Sequence, residues 1–283
     1  MRIEIRDIAA DGAQNQVRLC TYIQDASDEL FVNDRPIVVI CPGGGYSFTS
    51  DREADPVALQ FMAMGFHAAV LRYSVAPAEY PEALLEVGSS LNHIRKNARK
   101  WHVDPNKIVL LGFSAGGHLA ASYACFWEES FVATRLGVEK EVLRPDGLIL
   151  GYPVITSGEY AHYESFENLL GSQKSNKELW NRLSLEHQVS ESVPRTFIWH
   201  TCEDEMVPVQ NTLLWVNALM EKHIPVECHI FEKGEHGLSL ADWKTRQDDG
   251  SRLEENCTEW INLAKNWMNY YLKEDETSDD AGN

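Results

Sequence analysis

The sequence has no long apolar run and no excess of basic residues. No stretch reaches the roughly 20 apolar residues that a membrane-spanning helix needs, so we predict no membrane span. The N-terminus alternates polar and apolar residues without an apolar h-region, so no secretory signal peptide is predicted. Acidic residues outnumber basic ones by 43 to 25, which gives a net charge of −18. Because this charge repels nucleic acids and anionic membranes, we exclude both as partners.

The cysteines are also too scattered to suggest a disulfide framework. Several of the six lie inside apolar, strand-like segments. This distribution indicates buried free thiols in a reducing cytoplasm, so we predict a cytoplasmic protein. A zinc site at His200, Cys202, Cys228 and His229 is a minor alternative, because these residues lack the paired spacing of zinc ligands.

The chain does contain alternating strand-like and helix-like segments. Its 283 residues are 44% hydrophobic and 24% charged, which is typical of a globular protein with a large core. Apolar runs predict strands at 3–8, 17–23, 36–41, 67–72, 108–111, 147–151, 195–200 and 226–231, with a hairpin around Asp11-Gly12. Apolar spacing predicts helices at 55–64, 81–101, 117–128, 209–222 and 254–272. This alternation predicts an α/β fold, with a mostly parallel sheet covered by helices on both faces.

Residues 154–192 break the alternation. They are polar, rich in Tyr, Phe, Asn and Ser, and helical only near 177–185. A segment this short cannot bury a core of its own, so we interpret it as a lid inserted into a single domain at 1–272. The segment 273–283 contains five acidic residues and is predicted to be a disordered tail.

Gly112-Phe-Ser-Ala-Gly116 lies between an apolar strand and a helix rich in Ala and Gly. Gly-x-Ser-x-Gly in that position is typical of a nucleophile elbow, a sharp turn that presents a strained serine at the sheet edge. The glycines are needed because side chains there would collide with the neighbouring strand or helix. The pentapeptide alone is common, but its flanking elements make Ser114 a specific candidate nucleophile.

A serine hydroxyl needs an imidazole base, and His236 is the best-placed histidine. It follows the last predicted strand in a glycine-flanked loop that can bring the ring over the sheet edge. His118 lies four residues after Ser114 on the helix and points along it, so we expect a packed or capping residue. We expect His200, at another strand end, to be a core or loop-bracing residue.

The acid that orients this base should end the preceding strand, where Glu203, Asp204 and Glu205 are adjacent. We choose Asp204, because an acid just before the turn at Val207-Pro208 can be held facing inward. Glu203 and Glu205 are expected in solvent. A buried carboxylate bonded to the imidazole fixes its tautomer and stabilises the imidazolium formed during attack. The order Ser, Asp, His is that of α/β-hydrolases.

Gly43-Gly44-Gly45 follows another predicted strand. A phosphate-binding loop would require a following Lys-Ser/Thr or a Gly-x-Gly-x-x-Gly motif, and neither is present. We therefore predict an oxyanion hole made by the N–H groups of Gly44, Gly45 and Ala115. Tyr46 and Tyr152 follow strands and are predicted to bind substrate.

These segments resemble the α/β-hydrolase superfamily over nearly the whole chain. Within it, the chain is similar to small cytosolic esterases grouped with acetyl-xylan esterases and hormone-sensitive-lipase-like carboxylesterases. The matching motifs are Pro42-Gly-Gly-Gly-Tyr46, Tyr73-Ser-Val-Ala-Pro77 with Tyr80-Pro81, Gly112 to Ala120, Asp204 before Val207-Pro208, and His236-Gly237. The resemblance implies a triad of Ser114, Asp204 and His236. Pro42 and Phe113 replace His and Asp of the hormone-sensitive-lipase pattern, which favours the acetyl-esterase branch.

We therefore expect a serine carboxylesterase acting on small, short-chain acyl esters, acetyl esters above all, of sugars or xylo-oligosaccharides. An acyl-enzyme would form, and this chemistry needs no cofactor or metal. Activity should require a neutral imidazole at His236 and fall below about pH 6.5. A serine peptidase of the same fold and a non-catalytic binding protein are the alternatives. The sequence leaves open a homo-oligomer.

Overall fold

The strands of the sheet are the apolar runs of the sequence, as expected where helices cover both faces. A computed structural model describes residues 1–8, 17–30 and 34–279, with side chains described up to residue 270. The strands are β1 (Arg2–Asp7), β2 (Arg18–Ile23), β3 (Arg35–Cys41), β4 (His67–Arg72), β5 (Val103–Phe113), β6 (Gly147–Gly151), β7 (Thr196–Thr201) and β8 (Val226–Phe231). They form one sheet in the order β1-β2-β4-β3-β5-β6-β7-β8.

Only β2 runs against its neighbours, since it pairs antiparallel with both β1 and β4. The other pairings, from β4 through β3 and β5 to β8, are parallel. This arrangement confirms the predicted α/β fold with a mostly parallel sheet. It also places the carboxyl ends of β3, β5, β6, β7 and β8 at one edge, where functional groups gather in such folds.

Helices cover the two faces of the sheet. They are α1 (Asp55–Ala63), α2 (Glu82–Trp101), α3 (Ser114–Phe126), α4 (Ser130–Leu136), α5 (Tyr163–Leu170), α6 (Lys177–Arg182), α7 (Gln210–Glu221) and α8 (Trp260–Asp279). Successive residues of β3 enter different cores: Val39 packs with α2, α3 and α7, whereas Val38 packs with α1 and α8. The period of two along the strand thus divides the apolar side chains between two layers.

Several element boundaries differ from the prediction. The helix after the elbow begins at Ser114 and ends at Phe126, and α4 follows as a separate, unpredicted helix. All residues of α3 are buried, so the sequence carries no amphipathic pattern to mark its ends. The last helix continues to Asp279, into the segment predicted to be disordered. Residues 280–283 and the hairpin around Asp11-Gly12 lie outside the described residues.

The segment predicted to be a lid contains α5, which was not predicted, and α6. Its buried residues Phe166, Leu170 and Leu183 join the same core as α2, α3 and α7. The segment therefore packs onto the main body without a second core. Whether it acts as a lid stays a prediction.

The cysteines are all unpaired: Cys41, Cys125 and Cys257 are buried, and Cys202 is exposed. Among the helices of the described residues, none combines the length and apolar character that crossing a bilayer requires.

Candidate active site

Ser114 lies at the turn from β5 into α3 with a φ of 53°. This left-handed conformation is strained for a non-glycine residue. The turn is possible because glycines flank it. A Cβ on Gly112 would lie 2.2 Å from the Gly116 carbonyl oxygen, and a Cβ on Gly116 would lie 2.1 Å from that of Cys41. Helix α3 can therefore pack closely against β3 and β5, and the Ser114 side chain is presented at the edge of the sheet.

A continuous hydrogen-bonded relay joins Ser114, His236 and Asp204. Ser114 Oγ lies 2.7 Å from His236 Nε2, and His236 Nδ1 lies 2.6 Å from Asp204 Oδ2. Since Asp204 can only accept when ionised, Nδ1 carries the ring proton and Nε2 is free to accept from the serine hydroxyl. The loops after β7 and β8 thus bring together the three residues selected from the sequence.

The Asp204 carboxylate is held by several donors. Its Oδ1 accepts from the amides of Met206, at 3.0 Å, and Val207, at 2.8 Å. Burial would raise the pKa of Asp204, but the hydrogen bonds from His200 and His236 outweigh it, and the pKa lies well below its ordinary value. The carboxylate is therefore ionised beside His236. Glu203 and Glu205 are exposed, as predicted.

His200 braces the loop that carries Asp204. It is fully buried, with Nδ1 2.7 Å from Thr212 Oγ1 and Nε2 2.9 Å from the Val207 carbonyl oxygen. Nε2 also lies 3.3 Å from Asp204 Oδ2. The loop-bracing role expected from the sequence therefore matches these contacts. Neither nitrogen is directed to Ser114.

His118 belongs to the packing beneath the site. Its Nε2 lies 3.0 Å from the Leu183 carbonyl oxygen, and burial lowers its pKa to about 4, so the ring is neutral. Its Nδ1 lies 2.9 Å from the hydroxyl of Tyr46, which is itself 2% exposed. The prediction of Tyr46 as a substrate-binding residue therefore does not match the structure. The left-handed conformation of Tyr46, with φ of 57°, turns the ring inward against α3.

The glycine loop leaves two backbone amides available. Among the described residues, no acceptor binds the N–H of Gly44 or Gly45, and both residues line the cavity above Ser114. Ala115 belongs to the first turn of α3, where amides lack intrahelical acceptors. Gly44 has a φ of +132°, and a Cβ there would lie 2.1 Å from the Phe48 carbonyl oxygen, so only glycine fits.

Glu53 connects this loop to Tyr152 and His236, and no pattern in the sequence indicates this contact. The side chain is buried, and its Oε2 accepts from the Gly43 amide at 2.8 Å. Its Oε1 accepts from the Tyr152 hydroxyl at 2.6 Å, which accepts in turn from the Ser239 amide at 2.8 Å. The Tyr152 ring packs edge-on against the ring of His236, with centroids 5.1 Å apart.

Tyr152 therefore lies behind the His236 ring and does not line the cavity. It is 1% exposed, and its φ of 36° turns the side chain away from the strand end. Burial is the main cause that raises the pKa of Tyr152 far above its ordinary value, and the neighbouring Glu53 raises it further. The phenol therefore keeps its proton and donates the hydrogen bond to Glu53. The predicted substrate contact of Tyr152 does not match this position, which instead supports His236.

A cavity of about 300 Å³ opens above Ser114. Its lining comes from the glycine loop, the predicted lid and the segment after His236, and most of the lining residues have polar side chains, although apolar atoms make up more of the cavity surface. The residues are Gly44, Gly45, Ser47, Phe48, Ser50, Arg52, Glu53, Ser114, His162, Glu164, Met206, His236, Gly237, Gln247 and Arg252. Loop residues such as His162 and Arg252 were missed because no strand end marks them. In the described part of the chain, no group of three or more metal-ligating side chains occurs.

Solved structures similar to this chain include ester hydrolases of the same fold. The acetyl ester-xyloside bifunctional hydrolase of Caldicellulosiruptor lactoaceticus is 36% identical, with a TM-score of 0.77, and 91% of this chain covers 89% of it. The carboxylesterase Cest-2923 of Lactobacillus plantarum is 31% identical, with a TM-score of 0.83, and 95% of this chain covers 98% of it. By these similarities the chain has the α/β-hydrolase fold of these enzymes.

Residues 28–219 match the model of the BD-FAE family, so the chain belongs to that family. An endo-1,4-beta-xylanase B of Butyrivibrio fibrisolvens is 39% identical over 213 residues, which are 74% of this chain and 33% of the xylanase. An acetylxylan esterase of Xylanibacter ruminicola is 28% identical over 229 residues, which are 79% of this chain and 45% of that esterase. The chain thus spans less than half the length of these two relatives.

Proposed function

We propose that the chain is a serine carboxylesterase that removes short acyl groups, acetyl above all, from sugars or xylo-oligosaccharides through an acyl-enzyme. The observation that carries this proposal is the relay from Ser114 through His236 to Asp204, which faces a small cavity with two unoccupied amide donors. Each group needed for acyl transfer is then within reach of one reacting carbon.

In this mechanism, His236 Nε2 takes the proton of Ser114 as the oxygen attacks the ester carbonyl. The amides of Gly44, Gly45 and Ala115 bind the oxyanion, and the ionised Asp204 stabilises the imidazolium. His236 then gives the proton to the leaving alcohol, and the acyl group stays on Ser114. A water molecule enters, loses its proton to His236 and releases the acid by the same steps in reverse.

Two observations support a short acyl group on a sugar. The cavity of about 300 Å³ lies at the lower end of ligand pockets, and this small volume disfavours long acyl chains. Relatives are named as an acetylxylan esterase and as an acetyl ester-xyloside hydrolase. A cytoplasmic location and a homo-oligomer stay predictions.

The test compares wild type with Ser114→Ala on p-nitrophenyl acetate, butyrate and octanoate, and on dipeptidyl naphthylamides. We expect acetate to be the preferred acyl group, and the variant to lose at least about a thousandfold in kcat. A fluorophosphonate probe should label wild type and spare the variant. Retained activity in Ser114→Ala would refute the nucleophile. Faster cleavage of the amides would favour a peptidase, and inertness to both substrates and probe would favour a binding protein.

A further inference from the structure

Two arginines that the mechanism does not use, Arg52 and Arg252, line the cavity above Ser114. Arg52 donates from Nε to the Thr245 carbonyl oxygen at 2.5 Å and from Nη1 to that of Gly237 at 2.9 Å. Its Nη2 is buried and has no partner among the described residues, and the same holds for Nε of Arg252. Buried donors without acceptors are costly, and the hydrogen-bonding capacity of both guanidinium groups is incompletely used by the protein.

The charges around the two guanidinium groups differ. Arg252 pairs with Glu235 at 3.1 Å. Arg52 binds only carbonyl oxygens, and within the described residues no carboxylate lies close enough to form an ion pair with it. The cavity carboxylate of Glu53 is already engaged by backbone and phenol donors, and Glu164 is exposed on the opposite segment. In a chain of net charge −18, Arg52 therefore keeps an unneutralised positive charge at the site.

The two arginines lie on the side of the cavity where the alcohol portion of the ester would bind. Both guanidinium groups converge on Gly237: Arg52 binds its carbonyl oxygen, and Arg252 Nη1 lies 3.9 Å from where a Cβ on that glycine would be. Gly237 directly follows His236, whose Nε2 protonates the leaving alcohol in the proposed mechanism. The arginines therefore flank the alcohol portion of the ester, whereas the carbonyl oxygen lies at the glycine loop.

We propose that the alcohol portion of the substrate carries a carboxylate, as a sugar acid does, and that the guanidinium groups of Arg52 and Arg252 at the cavity wall bind it. This inference rests on the proposed esterase function. A carboxylate supplies two acceptor oxygens to guanidinium N–H groups at the cavity wall and neutralises Arg52. The preferred substrates are then acyl esters of acidic alcohols, and neutral acetyl esters are weaker substrates.

The experiment compares acetyl esters that differ only in this charge. The pairs are 3- and 4-acetoxybenzoate against 3- and 4-acetoxybenzamide, with kcat/KM corrected for the uncatalysed hydrolysis of each ester. Wild type should prefer the carboxylate about tenfold or more for at least one isomer. Arg52→Gln and Arg252→Gln should each reduce this ratio several-fold. Arg135→Gln, an exposed arginine paired with Glu82, is the matched control and should keep the wild-type ratio.

Each variant is judged by the ratio of its kcat/KM values for the carboxylate and the amide ester. A loss of activity that affects both esters equally, for example through a shift of the Gly237 loop, therefore cancels. A second measurement needs no variant: 3- and 4-hydroxybenzoate should inhibit p-nitrophenyl acetate hydrolysis at lower concentration than the corresponding hydroxybenzamides. Equal kcat/KM for both members of each pair in wild type, or a ratio unchanged in both arginine variants, would overturn the inference. Absence of any hydrolysis that depends on Ser114 would instead refute the esterase proposal.

Discussion

The relay of Ser114, His236 and Asp204 differs from the arginines of the cavity wall in how completely protein groups satisfy its hydrogen bonds. In the relay, every polar atom has a protein partner: Asp204 receives four donors, and His236 is fixed at both nitrogens. The arginines of the cavity wall keep buried N–H groups without partners in the described structure. The three side chains of the relay are thus held in place by the fold. The cavity arginines are not fully bonded by the protein, so mutations in the relay and in the cavity wall should act on different kinetic constants.

The largest effect in this comparison is expected from Gly44→Ala. The added Cβ meets the Phe48 carbonyl oxygen in a backbone conformation with a φ of +132°, so the loop must move and its amide turns from the oxyanion. Loss of one such donor costs about 3–4 kcal/mol, or 10²–10³ in kcat. The measurement is kcat for p-nitrophenyl acetate in a variant that circular dichroism shows to be folded.

Gly137→Ala is the matched control for this substitution. Gly137 also has a positive φ, at +63°, but a Cβ there meets nothing within 4 Å, and it caps α4 away from the cavity. Its substitution should lower stability by about 1 kcal/mol through strain while kcat stays at the wild-type value. Equal kcat values for the two variants would contradict the oxyanion assignment of the glycine loop.

A smaller effect is expected from Glu53→Gln. Glu53 accepts from two donors, the Gly43 amide and the Tyr152 hydroxyl, whereas a glutamine offers one acceptor oxygen and sets its amide N–H against the other donor. The glycine loop and the support of His236 should both loosen, and kcat should fall about tenfold with little change in KM. Glu53 would then be a positioning residue, since it acts through its neighbours.

The double variant distinguishes positioning from a general loss of stability. Tyr152→Phe removes the donor that Glu53 binds, so the two substitutions should be less than additive in kcat. Strict additivity would mean that Glu53 and Tyr152 act separately, and the connection between loop and base would carry no catalytic effect.

The parts of the site that were predictable from sequence are those tied to backbone geometry. Ser114, Asp204 and His236 each follow an apolar strand, and parallel strands bring their carboxyl ends to one edge whatever the loops do. Glycines near Ser114 mark places where backbones come too close for a side chain. Such constraints are local, so a single sequence contains them.

The remaining contacts depend on long-range placement. Glu53, an acid just before a helix, is indistinguishable in sequence from a solvated residue, and its partners are distant in the chain. Tyr46 and Tyr152 were assigned to substrate by their strand-end positions, but positive φ angles turn both inward. No side-chain pattern indicates those angles for a tyrosine, so the prediction failed at the residues where the backbone departs from its usual regions.

His162 lines the cavity and does not belong to the relay, so its substitution should affect mainly KM. Its Nδ1 accepts from the Ser165 amide at the N-terminus of α5, so the ring proton lies on Nε2. Burial, with His236 nearby, lowers its pKa below the ordinary value, so the ring is a neutral donor at neutral pH. His162→Asn keeps an N-capping side chain but loses the ring, and should raise KM several-fold at nearly constant kcat.

His162→Ala separates capping from binding. It loses the cap as well as the ring, so its KM should match that of His162→Asn while its unfolding free energy falls by about 1 kcal/mol. An equal loss of stability in both variants, with KM unchanged, would show that His162 acts on the fold of the lid segment alone.

The smallest effect on turnover is expected at Glu86, a buried carboxyl that faces neither the relay nor the cavity. It accepts from the Ser74 amide at 2.7 Å and hydroxyl at 2.6 Å. Burial raises its pKa from 4.5 to about 7, although the bonds from Ser74 oppose the shift. Since the folded state binds this proton more tightly, the stabilisation is complete below pH 4.5 and is lost as the pH rises through 7.

Glu86→Gln cannot titrate and should remove this pH dependence. Relative to the variant, wild type should lose about 3 kcal/mol of unfolding free energy between pH 4.5 and pH 8, since each unit of pKa shift corresponds to about 1.4 kcal/mol. Urea denaturation of both proteins at pH 5 and pH 8 measures the difference, and kcat at pH 8 should be the same in both. A constant stability difference across this range would mean that the buried carboxyl keeps an ordinary pKa. A change in kcat would extend the preorganised region beyond the relay to the Tyr73-Ser-Val-Ala-Pro77 segment.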